Sequence, residues 1–181
     1  MIRYAILGLL SWHPFTGYDL KKIFTDSAAL YWSGNNNQIY TTLLQLQRDG
    51  LVESELQPGL PAKKIYTLTG IGRKELRRWV QSNPEPPELR ATFLIQLSWA
   101  DQLSAAEVDA LLERYESEVN ALLLIEREKI RRGLSGPKRT PRETLLWERI
   151  AENITSTYEK ELVWAGRLRA DLAAQAPTEE G

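Results

Sequence analysis

Four consecutive amide side chains are the residues of this chain best suited to a specific recognition chemistry. They are Asn35, Asn36, Asn37 and Gln38. Asn and Gln can each pair with the N6 and N7 edge of adenine through two hydrogen bonds. The asparagines also suit a turn and a helix cap, because Asn tolerates left-handed backbone and its side-chain oxygen accepts bonds from free N–H groups. The run therefore has two interpretations, base contact or local capping.

Three hydroxyl side chains follow the amides on the same predicted helix. Thr41 and Thr42 could touch a thymine methyl group or a phosphate. Tyr40 could donate its hydroxyl to a phosphate, or its ring could pack between helices. The sequence leaves both interpretations of Tyr40 open.

Two pairs of lysines could add contacts to a nucleic-acid backbone. Lys63 and Lys64 end a predicted loop between two strands, and Lys21 and Lys22 lie near the start of a predicted helix. Phosphate contacts of this kind give affinity and salt dependence rather than sequence information. The alternative is that these lysines are only solvated, which is also our interpretation of the basic residues between 73 and 78.

Enzyme chemistry has little support in the residue types present. The chain has 181 residues, no cysteine and a single histidine, His13. Zinc sites combine several Cys, His and carboxylate ligands, and we find no glycine-rich phosphate loop and no nucleophile elbow. We therefore predict that the protein is not an enzyme and uses neither a cofactor nor a metal.

Charge is distributed unevenly along a nearly neutral chain. The net charge is −1, but residues 1–82 carry ten basic and six acidic residues, a net charge of +4, which leaves −5 for the remainder. This asymmetry suggests nucleic-acid contact through one end. Prolines at 84, 86 and 87 mark the boundary between a predicted domain at 1–82 and a second at 83–181. The apolar stretch at 4–10 is too short to span a membrane, so we expect a cytoplasmic protein without membrane contact.

The order of predicted elements in residues 1–82 is three helices, two strands and a helix. Thr16 and Thr69 are predicted helix N-caps, and Gly50 ends the third helix. The predicted ranges are helices at 2–11, 17–27 and 36–49, strands at 51–56 and 64–68, and a helix after Thr69. Three helices followed by a hairpin is the winged helix-turn-helix arrangement, whose third helix enters the major groove.

Several spaced motifs resemble the PadR family of bacterial transcriptional regulators. The motifs are Ile6-Leu7-Gly8-Leu9-Leu10, Gly17-Tyr18-Asp19-Leu20, Gln38-Ile39-Tyr40 through Gly50-Leu51-Val52-Glu53, and Tyr66-x-Leu68-Thr69 through Trp79-Val80. The resemblance implies a dimeric regulator, usually a repressor, that binds a palindromic operator in double-stranded DNA. It also implies release from DNA by a small aromatic effector. The alternative is a winged helix that docks a protein partner and does not bind DNA.

The second half of the chain is predicted to be helical and to form a homodimer. Apolar residues recur at heptad spacing on a helix at about 104–132, and a second helix covers about 140–175. The predicted dimer residues are Val108, Leu112, Tyr115, Val119, Leu122, Trp147, Ile150, Ile154, Tyr158 and Leu168. The alternative is that this hairpin packs on the first domain. The overall prediction is a mainly α fold with a small β-hairpin.

A cleft between the two halves could accept a planar effector. Phe93 and Trp99 are the aromatic side chains that we predict to line it. Packing in a core is the alternative for each of them, because large aromatic rings usually serve there.

Overall fold

The computed structural model describes residues 2–28, 30, 36–58, 62–86, 92–133 and 139–175; at Asn36 the description covers the backbone only. The chain divides into two compact units. The first is Met1–Glu85 with Gly133–Arg139, and the second is Pro86–Arg132 with Thr140–Gly181. The functional division after residue 82 stays a prediction. Within the described residues, no helix is long and apolar enough to cross a membrane.

The first unit has the winged-helix order of elements that the sequence predicts. Its elements are α1 (Ile2–Leu10), β1 (Phe15–Thr16), α2 (Gly17–Asp26), α3 (Asn36–Arg48), β2 (Val52–Gln57), β3 (Lys63–Leu68) and α4 (Gly70–Val80). β2 and β3 form the predicted hairpin, paired from Val52 with Leu68 to Gln57 with Lys63. The mainly α fold class is thereby confirmed.

One strand of the sheet was not predicted. β1 pairs with β3 through Phe15 opposite Tyr66 and Thr16 opposite Ile65, so the sheet has three antiparallel strands in the order β1-β3-β2. Two residues are too few to show the alternation of apolar and polar positions by which a strand is identified in a sequence. Thr16 was predicted only as a cap, and it serves in both roles.

The apolar stripes of three helices make the core of the first unit. α1 packs against both α3 and α4, and α2 packs against α3. The side chains that are almost completely buried there are Ile6, Leu7, Leu20, Ile39, Leu43 and Leu46. They recur at helical spacing, which is why each helix presents one face to the interior.

Local hydrogen bonds fix where these helices begin and end. The Thr16 hydroxyl accepts a bond from the Asp19 N–H at 3.1 Å, and the Asp19 carboxylate accepts one from the Thr16 N–H at 3.2 Å. The Thr69 hydroxyl accepts a bond from the Gly72 N–H at 3.0 Å. Gly50 has a φ of +68° just after α3, a conformation that glycine adopts at little cost. Both predicted N-caps and the predicted C-terminal glycine are confirmed.

The apolar side chains of α4 are only partly buried. Leu76 packs against the core, and the Trp79 ring stacks on Tyr4 with 4.4 Å between ring centroids. Ile71 and Val80 are exposed. Among the described helices, α4 packs mainly on α1, so its buried stripe is narrower than its apolar composition suggests.

The second unit is helical throughout its described residues. It contains α5 (Thr92–Ser98), a 3₁₀ turn (Ala100–Gln102), α6 (Ala105–Arg132) and α7 (Pro141–Gln175). α6 and α7 pack against each other along an apolar stripe that includes Leu112, Val119 and Leu123. Polar links also join the two helices: the Tyr115 hydroxyl donates to Glu161 at 2.9 Å, and Arg127 pairs with Glu159 at 2.8 Å.

Gly72 sets the approach of α4 to the sheet. A methyl group at Gly72 would lie 2.1 Å from the Leu51 carbonyl oxygen, whereas one at Gly70 would meet nothing within 4 Å. We expect Gly72→Ala to lower the free energy of unfolding by about 1–3 kcal/mol, because backbone must move to admit the methyl group. Gly70→Ala is the matched control and should leave stability nearly unchanged. Urea unfolding measures both, and equal stabilities would contradict this packing.

Tyr115 makes the second unit less stable at alkaline pH. Burial and the hydrogen bond to Glu161 raise the pKa of Tyr115 to about 12, against about 10 in the unfolded chain. The stability that the neutral phenol contributes is fully present below pH 10 and is lost as the pH rises through the folded pKa.

Tyr115→Phe keeps the ring but removes the hydroxyl, so it should cost about 1 kcal/mol at neutral pH. It should also weaken the loss of stability above pH 10. Tyr18→Phe is the control, since Tyr18 is exposed and its hydroxyl bonds to no described residue. Urea unfolding of both variants at neutral pH and above pH 10 measures the difference between them. Identical pH dependence of the two variants would contradict the account.

Candidate nucleic-acid interface

The described amide side chains at the start of α3 face away from the core. Ile39, Leu43 and Leu46 are buried in the core, whereas Asn37 and Gln38 are exposed. Because the helix repeats every 3.6 residues, anchoring the stripe at 39, 43 and 46 fixes which positions face away from it. The predicted exposed face of the third helix is therefore present.

Gln38 is the amide whose chemistry is most fully available. Its side chain is exposed and makes no hydrogen bond to any residue that the structure describes. An amide side chain without internal hydrogen bonds keeps its acceptor and donor atoms available for the edge of a DNA base. Asn37 is also exposed. Asn35 lies outside the described residues, as does the side chain of Asn36, so the choice between base contact and capping stays open for these two.

Hydrogen bonding and packing divide the three hydroxyl residues. The Thr41 hydroxyl donates to the Asn37 backbone carbonyl at 3.0 Å, which leaves its oxygen and methyl group facing outward. The Tyr40 ring packs on Gly17, where a Cβ would lie 2.6 Å from Tyr40 Cε1. Tyr40 is nevertheless 44% exposed. The packing interpretation of Tyr40 is thus present in the structure, and phosphate contact by its hydroxyl stays a prediction, as does DNA contact by the half-buried Thr42.

The two lysines of the hairpin differ in their surroundings. Lys64 Nζ donates to Gln47 Oε1 at 3.3 Å and lies 5.2 Å from the centroid of the Tyr66 ring. These contacts tie β3 to the C-terminal half of α3. Lys63 is exposed and has no partner among the described residues. Of the pair, Lys63 is the more available, whereas Lys64 also holds the β2–β3 hairpin against α3; phosphate contact by either lysine stays a prediction.

The remaining basic side chains of the first unit lie on α2 and α4. Lys21 is half-buried and Lys22 is exposed. Neither forms an ion pair with a described residue. On α4, Arg78 pairs with Glu75 at 2.6 Å, and its exposed basic neighbours fit the solvated face that the sequence suggests.

The two aromatic residues assigned to the predicted effector cleft differ in their surroundings, and an effector role stays a prediction for both. Phe93 is buried and stacks on Tyr115 with 3.7 Å between ring centroids, and Trp164 approaches its edge at 6.3 Å. Phe93 is therefore part of the packed interior of the second unit, because a ring of its own chain covers its face. Trp99 is 67% exposed. An effector role for Trp99 stays a prediction.

The predicted dimer stripe on α6 is used largely within the chain. Leu112 and Val119 are buried and Tyr115 bonds to α7, so these residues first hold the hairpin together. Leu122 is 42% exposed, and the neighbouring Leu123, which was not predicted, is buried instead. The heptad spacing was correct as a packing stripe, but a sequence does not distinguish a seam within one chain from a seam between two.

Apolar side chains that the hairpin leaves exposed were missed by the sequence analysis, except for Leu122 and Ile150. Ile150 is 43% exposed. The exposed apolar residues of α6 and α7 are Leu122, Leu124, Ile125, Ile130, Leu145, Leu146, Ile150, Val163, Trp164 and Leu172. α6 and α7 carry more apolar residues than the contact between them can bury. That surplus is the signal that could have identified the exposed residues. Val108, Trp147, Ile154, Tyr158 and Leu168 are half-buried, and their part in a dimer stays a prediction.

Most of the first unit matches the model of a known protein family. Residues 6–78 match the family described as Transcriptional regulator PadR-like family. The negative transcriptional regulator PadR of Bacillus subtilis is 32% identical over 116 residues, which are 62% of this chain and 64% of that protein. The match thus spans less than two thirds of the relative's length.

Two crystal structures of Bacillus subtilis PadR share the fold. The complex with operator DNA has a TM-score of 0.79 at 24% identity and covers 94% of this chain and 98% of that one. The complex with p-coumaric acid has a TM-score of 0.76 at 23% identity and covers 95% of each chain. Residues 6–78 of this chain, which include the outward-facing third helix, thus match the model of the PadR-like family, and the two crystal structures share the fold.

Proposed function

We propose that this chain is a sequence-specific DNA-binding transcriptional regulator of the cytoplasm that acts as a homodimeric repressor on a palindromic operator. The observation that carries the proposal is the exposed N-terminal face of α3, where Gln38 projects from a helix anchored in a PadR-like winged-helix domain. A major groove is wide enough to admit such a helix. The family consists of transcriptional regulators, which agrees with a binding protein rather than an enzyme.

Two kinds of contact would divide the work of recognition. Gln38 has free donor and acceptor atoms and suits a base edge, which gives specificity. Lys63 has an exposed ammonium group at the end of the hairpin and suits a phosphate, which gives affinity for any sequence. The winged helix as a protein-docking module remains the second candidate, since the first 82 residues carry a net charge of only +4.

A second copy of the chain is the partner that the helical unit favours. Exposed apolar side chains continue along both faces of the α6–α7 hairpin after its internal stripe is filled. Symmetric dimers are the commonest way to cover such surfaces. A dimer would present two α3 helices to half-sites about one helical turn, roughly 34–36 Å, apart. Bacillus subtilis PadR binds p-coumaric acid, and we extend to this chain a small aromatic effector that releases DNA.

Exchanging Gln38 and Lys63 for alanine should weaken DNA binding in two different ways. Gln38→Ala should cost about 1–3 kcal/mol on the duplex that the protein selects from a random pool, and little on unrelated duplex. Lys63→Ala should weaken both duplexes alike and reduce the salt slope by about one unit. Fluorescence anisotropy across a range of salt concentrations measures both effects. Gln102→Ala and Lys160→Ala, exposed residues of the second unit, are the matched controls.

The assignment of specificity to Gln38 and of general affinity to Lys63 would be wrong if both variants lost affinity equally on selected and unrelated duplexes. The protein-docking alternative would gain support if the wild-type protein showed no steep fall in DNA affinity with salt.

Placing a charge on the exposed apolar surface of the α6–α7 helical hairpin should weaken the dimer. Leu122→Lys and Ile150→Lys each put an ammonium group on a side chain that is nearly half exposed within one chain. Burying that charge between two copies is unfavourable, so the dimer should dissociate at higher protein concentration. Sedimentation equilibrium measures this. Ile71→Lys, an exposed apolar position on α4, is the control. A monomeric wild-type protein would refute the dimer.

A further inference from the structure

The second unit contains a cavity that the proposed DNA contacts do not use, although Val108, Leu112 and Leu168 of its wall are also predicted dimer residues. It has a volume of about 620 Å³ and lies between the end of α5, the 3₁₀ turn, the start of α6 and the end of α7. Small-molecule sites commonly have volumes of about 300–1,000 Å³. Neither Phe93 nor Trp99 lines it, so it is a different place from the predicted effector cleft.

The wall of this cavity is mostly aliphatic. Its apolar lining is supplied by Leu97, Leu103, Val108, Leu112, Leu168 and Leu172. Leu112 is buried, whereas the other five side chains are half-buried or exposed. Such a wall favours an apolar group of a ligand, because the group leaves water on binding.

The polar groups of the cavity carry an excess of negative charge. Asp101, Asp109 and Arg169 all belong to the lining. Arg169 is already held by two carboxylates, Asp109 and Glu116, each at 2.8 Å. Asp101 is exposed and has no hydrogen bond or ion pair with any described residue, so no side chain of the described lining balances its charge.

We propose that this cavity binds a compact apolar cation, such as an aromatic amine, with its ring against the leucines and its ammonium group beside Asp101. A ligand carboxylate would compete with Asp109 and Glu116 for Arg169 and would be repelled by Asp101. An ammonium group instead supplies the charge that the lining lacks. The cavity therefore selects against aromatic acids and in favour of aromatic amines, and any effect of such a ligand on DNA release rests on the proposed function.

Two probes with the same ring and opposite charge test this proposal. Isothermal titration of the full chain is done with 2-(1-naphthyl)ethylamine and with 1-naphthylacetate at neutral pH. We expect the amine to bind with a Kd several-fold lower than that of the acid. Asp101→Asn keeps the shape of the cavity and should remove most of this preference. Asp171→Asn is the matched control, because Asp171 is an exposed carboxylate of α7 outside the lining.

A cavity-filling variant locates the binding. Ala105 lies at the exposed first position of α6 and lines the cavity, so Ala105→Trp should block the amine without disturbing the buried stripe. Equal or tighter binding of the acid would overturn the proposal. So would no binding of the amine, no effect of Ala105→Trp, or equal effects of Asp101→Asn and Asp171→Asn. The titration contains no DNA, so its failure is distinct from a failure of DNA binding.

Discussion

The burial of three side chains of α3 is the contact on which the proposed recognition depends. Ile39, Leu43 and Leu46 are almost completely excluded from solvent. Burying large aliphatic side chains of this kind is worth roughly 1.5–3 kcal/mol each, so rotation of α3 about its axis would be costly. That cost holds Gln38 outward. Lys64 adds a second constraint by tying the hairpin to Gln47 of the same helix. The orientation of the reading face is thus a consequence of core packing.

Elements with a strong period or a specific cap could be predicted from the sequence. α3, the hairpin of β2 and β3 and the caps at Thr16 and Thr69 were found because helix spacing, a β-branched residue with a following Pro58-Gly59 pair, and capping chemistry each leave a local pattern. β1 was missed, since two residues carry no period. On the interface, the availability of Gln38 at the start of the third helix was expected from the winged-helix order of elements, but the tie between Lys64 and Gln47 was not. That contact joins residues 17 positions apart, and no local pattern encodes it.

The helical unit shows where a heptad pattern is ambiguous. The spacing correctly indicated that one face of α6 packs against another helix, but Leu112 and Val119 pack within the chain. Phe93 was expected to line a cleft, and one face of its ring stacks on Tyr115. In both cases the sequence identified an apolar group that must be covered, while only the fold determines which group covers it. The apolar residues that stay exposed on α6 and α7 matter for the same reason, since the described chain leaves each of them 37–55% exposed.

Selection of fragmented genomic DNA on the purified protein, with an excess of non-specific competitor, tests the central claim most directly. The account predicts enrichment of one inverted repeat whose half-sites lie about one helical turn apart, because two outward-facing α3 helices would be related by the symmetry of a dimer. A confirmed dimer that enriches no sequence would contradict it and would indicate that the winged helix serves a protein partner.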